Sequence, residues 1–180
     1  QFTLIVSYLR SRRRVNIYPK LTEYPMVTVQ LPVYNEKYVI ERLLNAAIAF
    51  DYPAEKLEIQ VLDDSTDETT EIIQQKIDEL KAAGSLVDLQ LIRRPERTGF
   101  KAGALAYGLK IAKGEFIPMF DADFIPSPDF LKQTIPHFQN LKVGVVQTRW
   151  THLNAEYSLL TKLQAFGLDA HFFIEQGGRN

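Results

Sequence analysis

The chain has 180 residues, of which 46% are hydrophobic and 24% are charged, and its formal net charge is −1. This length and composition suit one domain with a core of its own. The near-zero charge argues against a general nucleic-acid-binding protein, although it leaves room for a local basic patch. The chain contains no cysteine, which excludes disulfides and thiolate metal sites.

The N-terminal segment is mostly apolar over residues 1–9 and then carries arginine at positions 10, 12, 13 and 14. Nine residues are too few to cross a bilayer, which takes about 20. Two interpretations stay open: the end of a membrane-spanning helix with its arginines on the cytoplasmic side, or an amphipathic tail with a solvated basic run. Residues 15–25 contain Pro19 and Pro25 and predict a linker. We therefore expect a membrane-proximal segment and linker at 1–25 and a domain at 26–180.

Strands and helices alternate through that domain. Runs rich in β-branched and apolar residues predict strands at 26–31, 57–62, 87–92, 115–120 and 143–147. Helical spacing of apolar residues predicts helices at 39–48, between Ser65 and Gly84, at about 100–112 and at about 155–176, with another beginning at Ser127-Pro128. This alternation predicts a parallel α/β sheet with right-handed crossovers.

Three local signals refine the predicted elements. Asn35 is a candidate N-cap for the first helix, and Gly84 suits the C-terminal cap of the second. Pro118 interrupts the fourth strand, because proline cannot donate to a ladder, so the strand is expected to lie at an edge or to contain a bulge there.

Polar residues follow the first four predicted strands. They are Asn35-Glu36, Asp63-Asp64, Arg93-Arg94 and the pair Asp121 and Asp123. In parallel sheets ligands bind outside the carboxyl ends of the strands, so these residues are expected to meet along one edge of the sheet.

The expected edge combines acids with basic side chains. Asp121 and Asp123 are separated by one alanine and suit a hard divalent cation. Arg94, Arg97 and Lys101 suit anionic oxygens. A metal-bound phosphate or diphosphate fits both sets. The plainer interpretation is solvated arginines and acids that only cap helices.

Several protein classes can be weighed from motifs. The chain has neither the Gly-x-Gly-x-x-Gly motif of dinucleotide-binding proteins nor a P-loop. An aspartyl-nucleophile phosphatase would have Thr or Val where Ile125 stands. A metal-dependent phospho-receiver-like regulatory or binding module stays open as an alternative, although its acidic pair normally follows the first strand.

Four motifs occur together in order. They are Leu31-Pro-Val-Tyr-Asn-Glu36, Val61-Leu-Asp-Asp-Ser-Thr-Asp67, Lys101-Ala-Gly-Ala-Leu105 and Phe120-Asp-Ala-Asp-Phe124. Together they resemble the family 2 inverting glycosyltransferases, whose fold is GT-A, a Rossmann-like and mostly parallel sheet flanked by helices. The nearest resemblance is to cellulose synthase-like enzymes that make glucomannan and xyloglucan backbones.

The resemblance implies a role for each matching position. Residues of the nucleoside pocket would be Pro32, Tyr34 and Glu36, and those at the base and ribose would be Asp63 and Asp64. Lys101 would approach the base or diphosphate, with Arg94 or Arg97 nearby. Asp121 would contact the ribose or donor sugar, and Asp123, with Asp121, would hold Mg²⁺ or Mn²⁺.

The implied reaction is inverting transfer of a sugar from UDP-glucose or GDP-mannose to a growing β-glycan or other acceptor, on the cytoplasmic side of a membrane and without nucleic acid. Members of this subgroup also carry a Thr-Glu-Asp motif with the general base and a Gln-x-x-Arg-Trp motif. Neither occurs here, since Gln147-Thr-Arg-Trp150 has one residue fewer. We therefore expect a GT-A domain that is incomplete at its C-terminus, with its base beyond Asn180, and a chain that binds donor but is inactive alone.

Overall fold

The structure, a computed structural model, describes residues 21, 23–149, 151–152, 154–170 and 172. The chain forms two compact units, one of residues Lys20–Asn140 and one that includes Leu141–Asn180. Each unit is described by itself below. The predicted N-terminal segment lies almost entirely outside the described residues.

The first unit contains a parallel sheet whose strand order is β1-β2-β3. Its elements are β1 at Val27–Val33, α1 at Ile40–Ile48, a 3₁₀ turn at Ala54–Lys56, β2 at Leu57–Asp63, α2 at Thr69–Ala82, β3 at Asp88–Ile92, α3 at Phe100–Leu109, α4 at Phe130–Thr134 and a 3₁₀ helix at Ile135–Gln139. The register pairs Val27 with Leu57 and Glu58 with Asp88. The predicted strand–helix alternation and parallel pairing are confirmed for β1 to β3.

The two faces of the sheet differ in chemistry. Odd-numbered strand residues such as Val29, Ile59 and Leu89 are apolar and join one hydrophobic cluster with α1 and α2. Even-numbered residues on the other face are polar yet buried, including Thr28, Gln30, Glu58 and Gln60. Most of their polar atoms are hydrogen-bonded: the Thr28 hydroxyl donates to Glu58 over 2.5 Å and the Gln30 amide donates to Gln60 over 3.1 Å, while Gln60 Nε2 has no partner among the described residues.

Helix α3 lies close to this polar face because it presents glycine there. A Cβ on Gly108 would come within 2.7 Å of Gln30 Nε2 and 2.8 Å of Gln60 Oε1. Just after the helix, the backbone N–H groups of Lys113 and Gly114 donate to the Glu58 carboxylate and the Thr28 hydroxyl over 3.0 and 2.7 Å. The sheet therefore fixes the position of α3 through hydrogen bonds and close backbone approach.

Residues 115–120 lie beside β1 on the side away from β2, but they form isolated bridges and not a continuous strand. The carbonyls of Phe116 and Pro118 accept from Thr28 and Gln30, and Phe120 donates back to Gln30. In this parallel register the next hydrogen bond of the ladder would run from the N–H of residue 118 to the carbonyl of Thr28, but proline has no N–H. Among the described residues no strand lies on the other side of this segment, so it is at the edge of the sheet as expected, and Pro118 costs it one hydrogen bond to β1.

Two predictions are wrong. Asn35 is not an N-cap: α1 begins five residues later, and the Asn35 side chain accepts from the N–H of Thr66 in the loop after β2 over 2.9 Å. Residues 143–147 form no strand in the described structure. Their β-propensity is insufficient without a neighbouring strand, and Val145 is 82% exposed. The Gly84 cap is confirmed, with φ +85° and a bond from Ser85 N–H to Leu80 O.

In the second unit, helix α5 begins at Leu159, four residues after the predicted start, and runs to Ala170. The predicted continuation to residue 176 lies almost entirely outside the described residues. Asp169 on this helix pairs with Arg149 over 3.0 Å. Among the described residues, no helix combines the length and apolar character needed to span a bilayer.

Candidate functional site

The loops that follow the strands meet at the carboxyl edge, defined here as the edge of the sheet where β1, β2 and β3 end. The loop after β1 bonds to the loop after β2 through Asn35 and Ser65, whose backbone N–H and hydroxyl are 2.9 Å apart. The loop after β2 bonds to the loop after β3 through Asp64 and Arg94. The predicted gathering of polar residues at this edge follows from the parallel topology.

Asp63 and Asp64 are both withdrawn from solvent. Asp63 has a fully buried carboxylate, which accepts from the Ser65 N–H over 2.9 Å and from the Thr70 hydroxyl over 2.6 Å. Arg93 lies 3.4 Å from the same carboxylate. These bonds join the end of β2 to the start of α2.

Arg94 binds Asp64 through two parallel hydrogen bonds. Its Nε and Nη2 donate to the two carboxylate oxygens over 2.8 and 2.6 Å. Hydrogen bonding to Asp64 raises the pKa of the Arg94 guanidinium above its ordinary value. The same side chain also donates to the carbonyls of Thr98 and Phe100. A bidentate pair of this kind is geometrically specific as well as strong.

Lys101, in the first turn of α3, pairs with Asp121 in the loop after residues 115–120. Both side chains are about half exposed, at 55% and 48%. Phe120 anchors that loop, because its ring stacks edge-on against Phe130 with centroids 4.9 Å apart. The arrangement places a cation and an anion side by side at an accessible position.

Asp123 is exposed, and no described residue donates to its carboxylate. Its backbone carbonyl accepts weakly from Arg42 over 3.5 Å. The described residues contain no group of three or more His, Cys, Asp or Glu able to hold a metal. The donor set therefore does not fit an all-protein metal cage. It does fit Mg²⁺ or Mn²⁺ bound by one or two carboxylates together with substrate phosphates, which is the usual coordination of Mg²⁺ in nucleotide sites.

A second cluster contains aromatic rings and a guanidinium. The Arg97 guanidinium carbon lies 3.4 Å from the centroid of the Tyr34 ring and 5.0 Å from that of Phe100. Tyr34 is 41% exposed, Glu36 is exposed and Pro32 is partly buried at the end of β1. An aromatic face beside a guanidinium can take up a flat, electron-rich group by stacking.

The structure adds residues that the sequence argument did not place in the site. Phe100 contributes a carbonyl and an exposed ring, and Gly103 leaves room for the Arg94 guanidinium. In the sequence, Gly99 and Gly103 are one helical turn apart, a spacing that can indicate close approach of another group to the helix. The same spacing also fits simple helix packing, so it does not by itself identify the contact with Arg94.

Comparison with known protein families identifies the family of this chain. The family described as "Glycosyl transferase family 2" matches residues 28–177. The chain belongs to glycosyl transferase family 2. This membership favours the transferase interpretation over the phospho-receiver alternative.

Two curated relatives are plant mannosyltransferases. The chain is 42% identical over 158 residues to glucomannan 4-beta-mannosyltransferase 7 of Arabidopsis thaliana, which covers 85% of this chain and 28% of the relative. It is 39% identical over 186 residues to glucomannan 4-beta-mannosyltransferase 1 of Cyamopsis tetragonoloba, covering 96% and 35%. The chain thus spans about a third of the length of these relatives.

Similarity to a solved structure confirms the predicted GT-A fold. That structure is the mannosyltransferase PcManGT from Pyrobaculum calidifontis, in complex with GDP-Man and Mn²⁺. It superposes with a TM-score of 0.68 at 32% identity, over 82% of this chain and 44% of that protein.

Proposed function

We propose that this chain carries the donor-binding part of an inverting mannosyltransferase that extends a β-glycan from GDP-mannose. The observation that supports this is the carboxyl edge of a family 2 chain, where Lys101 pairs with Asp121 and, two residues on, the exposed Asp123 carboxylate accepts from no described residue. The names of the plant relatives and the GDP-Man and Mn²⁺ of the archaeal structure support mannose and guanosine diphosphate over UDP-glucose.

The nucleoside would lie against the loop after β1. Tyr34 offers its ring for the base, and Arg97, now on that ring, can turn toward the diphosphate. Pro32 and Glu36 flank this position. Asp63 and Asp64 shape it from the end of β2, because their carboxylates hold the neighbouring loops through Ser65 and Arg94.

Asp123, with Asp121, would hold Mn²⁺ or Mg²⁺, since Asp123 is exposed and Asp121 is about half exposed. When bound, the cation neutralises charge that develops on the departing nucleoside diphosphate. Lys101 adds charge-assisted hydrogen bonds to the same oxygens.

Transfer requires an acceptor hydroxyl to attack the anomeric carbon as the bond to the diphosphate oxygen breaks, which inverts the configuration. The residues of this edge act on the leaving group: they bind it, orient it and balance its charge. We propose that the base that accepts the hydroxyl proton is supplied by a Thr-Glu-Asp motif outside these 180 residues.

Titration calorimetry tests the donor site. With Mn²⁺ present, we expect GDP to bind more tightly than UDP, and Asp123→Ala to abolish the metal-dependent part of that binding. Asp78→Ala removes another exposed carboxylate, from α2, and should leave binding unchanged. Metal-dependent GDP binding that survives Asp123→Ala would contradict the metal assignment, and absence of any nucleoside-diphosphate binding would contradict the function.

We also propose that residues 1–14 associate with the cytoplasmic face of a membrane, on the basis of the apolar run and four arginines. Sedimentation with vesicles containing phosphatidylserine should be lost when these residues are deleted. Equal sedimentation of the shortened chain would contradict the assignment.

A further inference from the structure

Arg94 is almost enclosed by its own protein. Its side chain is only 6% exposed, and that of its partner Asp64 is 7% exposed. Arginine is rarely buried to this extent unless it is paired. Its position is therefore better suited to holding protein groups together than to meeting a ligand.

The donors of Arg94 are nearly all used. Nε and Nη2 donate to Asp64, Nη2 also donates to Phe100 O over 2.9 Å, and Nη1 donates to Thr98 O over 2.5 Å. A guanidinium has five N–H donors, so one remains. Direct binding of a diphosphate would require breaking bonds that the protein already makes.

The backbone that Arg94 holds is strained. Gly99 and Phe100 are consecutive residues with φ of +68° and +48°. The left-handed region is open to glycine but costly for a bulky residue such as phenylalanine. The carbonyls on either side of this turn are those that Arg94 binds, so the guanidinium stabilises a conformation that the residues themselves disfavour.

Gly103 provides the space for this contact. A Cβ at position 103 would lie 2.5 Å from Arg94 Nη1 and 2.0 Å from Thr98 O. Both distances are far below van der Waals contact, so any larger residue would push the guanidinium or the turn away.

From these contacts we infer that Arg94 is a positioning residue: it fixes the turn at Thr98–Phe100 and thereby directs Lys101, the next residue, to Asp121. The effect of Arg94 on the donor runs through Lys101 and not through contact with the diphosphate. The expected effect on binding of the sugar nucleotide rests on the proposed function. The contact between Lys101 and Asp121 does not, because it can be measured without any nucleotide.

A double-substitution cycle tests the consequence at the donor. Arg94→Lys keeps the charge beside Asp64 but loses the planar fork that reaches two carbonyls. We expect it to weaken Mn²⁺-dependent GDP binding roughly tenfold, as Lys101→Met does, which is the loss of one charge-assisted contact. In the Lys101→Met background, Arg94→Lys should cause no further loss. Losses that multiply would show that Arg94 itself touches the donor, and full affinity in Arg94→Lys would show that the fork is not needed. Either result overturns the inference.

Amine labelling tests the positioning itself. The Lys101 ammonium, held by Asp121, should acetylate slowly, and Arg94→Lys should raise its rate roughly 1.5- to 5-fold, the range expected for release from a surface ion pair. Asp121→Asn should do the same. Lys113, paired with Asp88 over 2.6 Å, serves as an internal control whose rate should not change. An unchanged Lys101 rate in Arg94→Lys would overturn the inference even if the chain binds GDP. If the chain binds no nucleotide, the proposed function fails and the labelling rates alone decide the role of Arg94.

Gly103→Ala provides a second route that leaves both charges in place. Its methyl group should displace the guanidinium and reproduce the faster Lys101 labelling. Gly167→Ala in α5 is the matched control, because a Cβ there meets nothing within 4 Å. Circular dichroism and the thermal midpoint confirm that each variant is folded. A folded Gly103→Ala chain with the wild-type Lys101 rate would contradict the proposed arrangement.

Discussion

Replacing Lys101 with methionine should change metal binding and nucleotide binding in opposite directions. In the structure the Lys101 ammonium forms an ion pair with the carboxylate of Asp121. A divalent cation arriving without nucleotide must displace that ammonium or bind through Asp123 alone. Lys101→Met frees Asp121 and removes a positive charge that repels the metal, so Mn²⁺ alone should bind more tightly, while GDP with Mn²⁺ should bind more weakly.

The size of the gain follows from the exposure of the pair. With side chains 55% and 48% exposed, Lys101 and Asp121 form a surface ion pair. Such pairs are worth about 0.2–1 kcal/mol, which corresponds to a gain in Mn²⁺ affinity of roughly 1.5- to 5-fold. Salt screens exposed charges, so the gain should shrink as the ionic strength rises.

Electron paramagnetic resonance provides the assay, because the sharp signal of free Mn²⁺ disappears on binding. Titrations at low ionic strength would compare the wild-type chain with Lys101→Met and with Lys76→Met. Lys76 is also a paired lysine, 3.1 Å from Glu79 on α2, so its loss controls for the change in net charge. Equal or weaker Mn²⁺ binding by Lys101→Met, relative to Lys76→Met, would refute the idea that the ammonium and the metal compete for Asp121.

Three further predictions concern stability, each measured by urea unfolding. Gly108→Ala should cost about 1–3 kcal/mol by overpacking, since its Cβ would lie 2.7 Å from Leu62 Cδ2, and a neutral result would contradict the close approach of α3. Glu58→Gln should cost about 1–3 kcal/mol. An amide oxygen at the Oε2 position can still accept from the Thr28 hydroxyl and the Lys113 N–H, but its NH2 group then faces the Gln90 amide nitrogen, which donates to Glu58 Oε1 over 3.3 Å, and the Lys113 ammonium. A loss no larger than that of exposed Glu71→Gln would refute this. Tyr52→Phe should cost about 1 kcal/mol at pH 7 by losing the 2.7 Å bond to Pro25 O. Burial raises the pKa of Tyr52 to about 12 from 10.0, so the unfolded chain loses this proton first and wild-type stability should fall as pH rises from 10 to 12. The Tyr52→Phe variant should lack that part of the decline. If the free energy of unfolding changes with pH in the same way in both chains, the assignment to Tyr52 is refuted.

The sheet and its carboxyl edge could be predicted because they depend on local patterns. Alternating and continuous apolar runs located β1 to β3 to within two residues at each end. Parallel topology then brings the residues after each strand to one edge, whatever the details of packing. Parallel topology alone therefore predicts that the acids after the second and fourth predicted strands lie near basic residues.

The individual partners could not be predicted, because they depend on long-range geometry. Asn35 has the sequence context of an N-cap, yet its side chain bonds to a loop 31 residues away. Pro118 was identified as a problem for its strand, but the register that turns it into one missing hydrogen bond is a property of the pair of strands. The charge of Arg94 favours contact with the sugar nucleotide, and only the structure shows that its N–H groups donate to Asp64 and two carbonyls.

The polar face beneath α3 has a consequence for how this chain tolerates sequence change. Helices held by apolar side chains can exchange one for another of similar volume at little cost. Under α3 the contacts are a glycine against the amides of Gln30 and Gln60, followed by backbone N–H groups on Glu58 and Thr28. No substitute reproduces these by volume alone. We expect related sequences to vary least on this face, although it contributes little hydrophobic area.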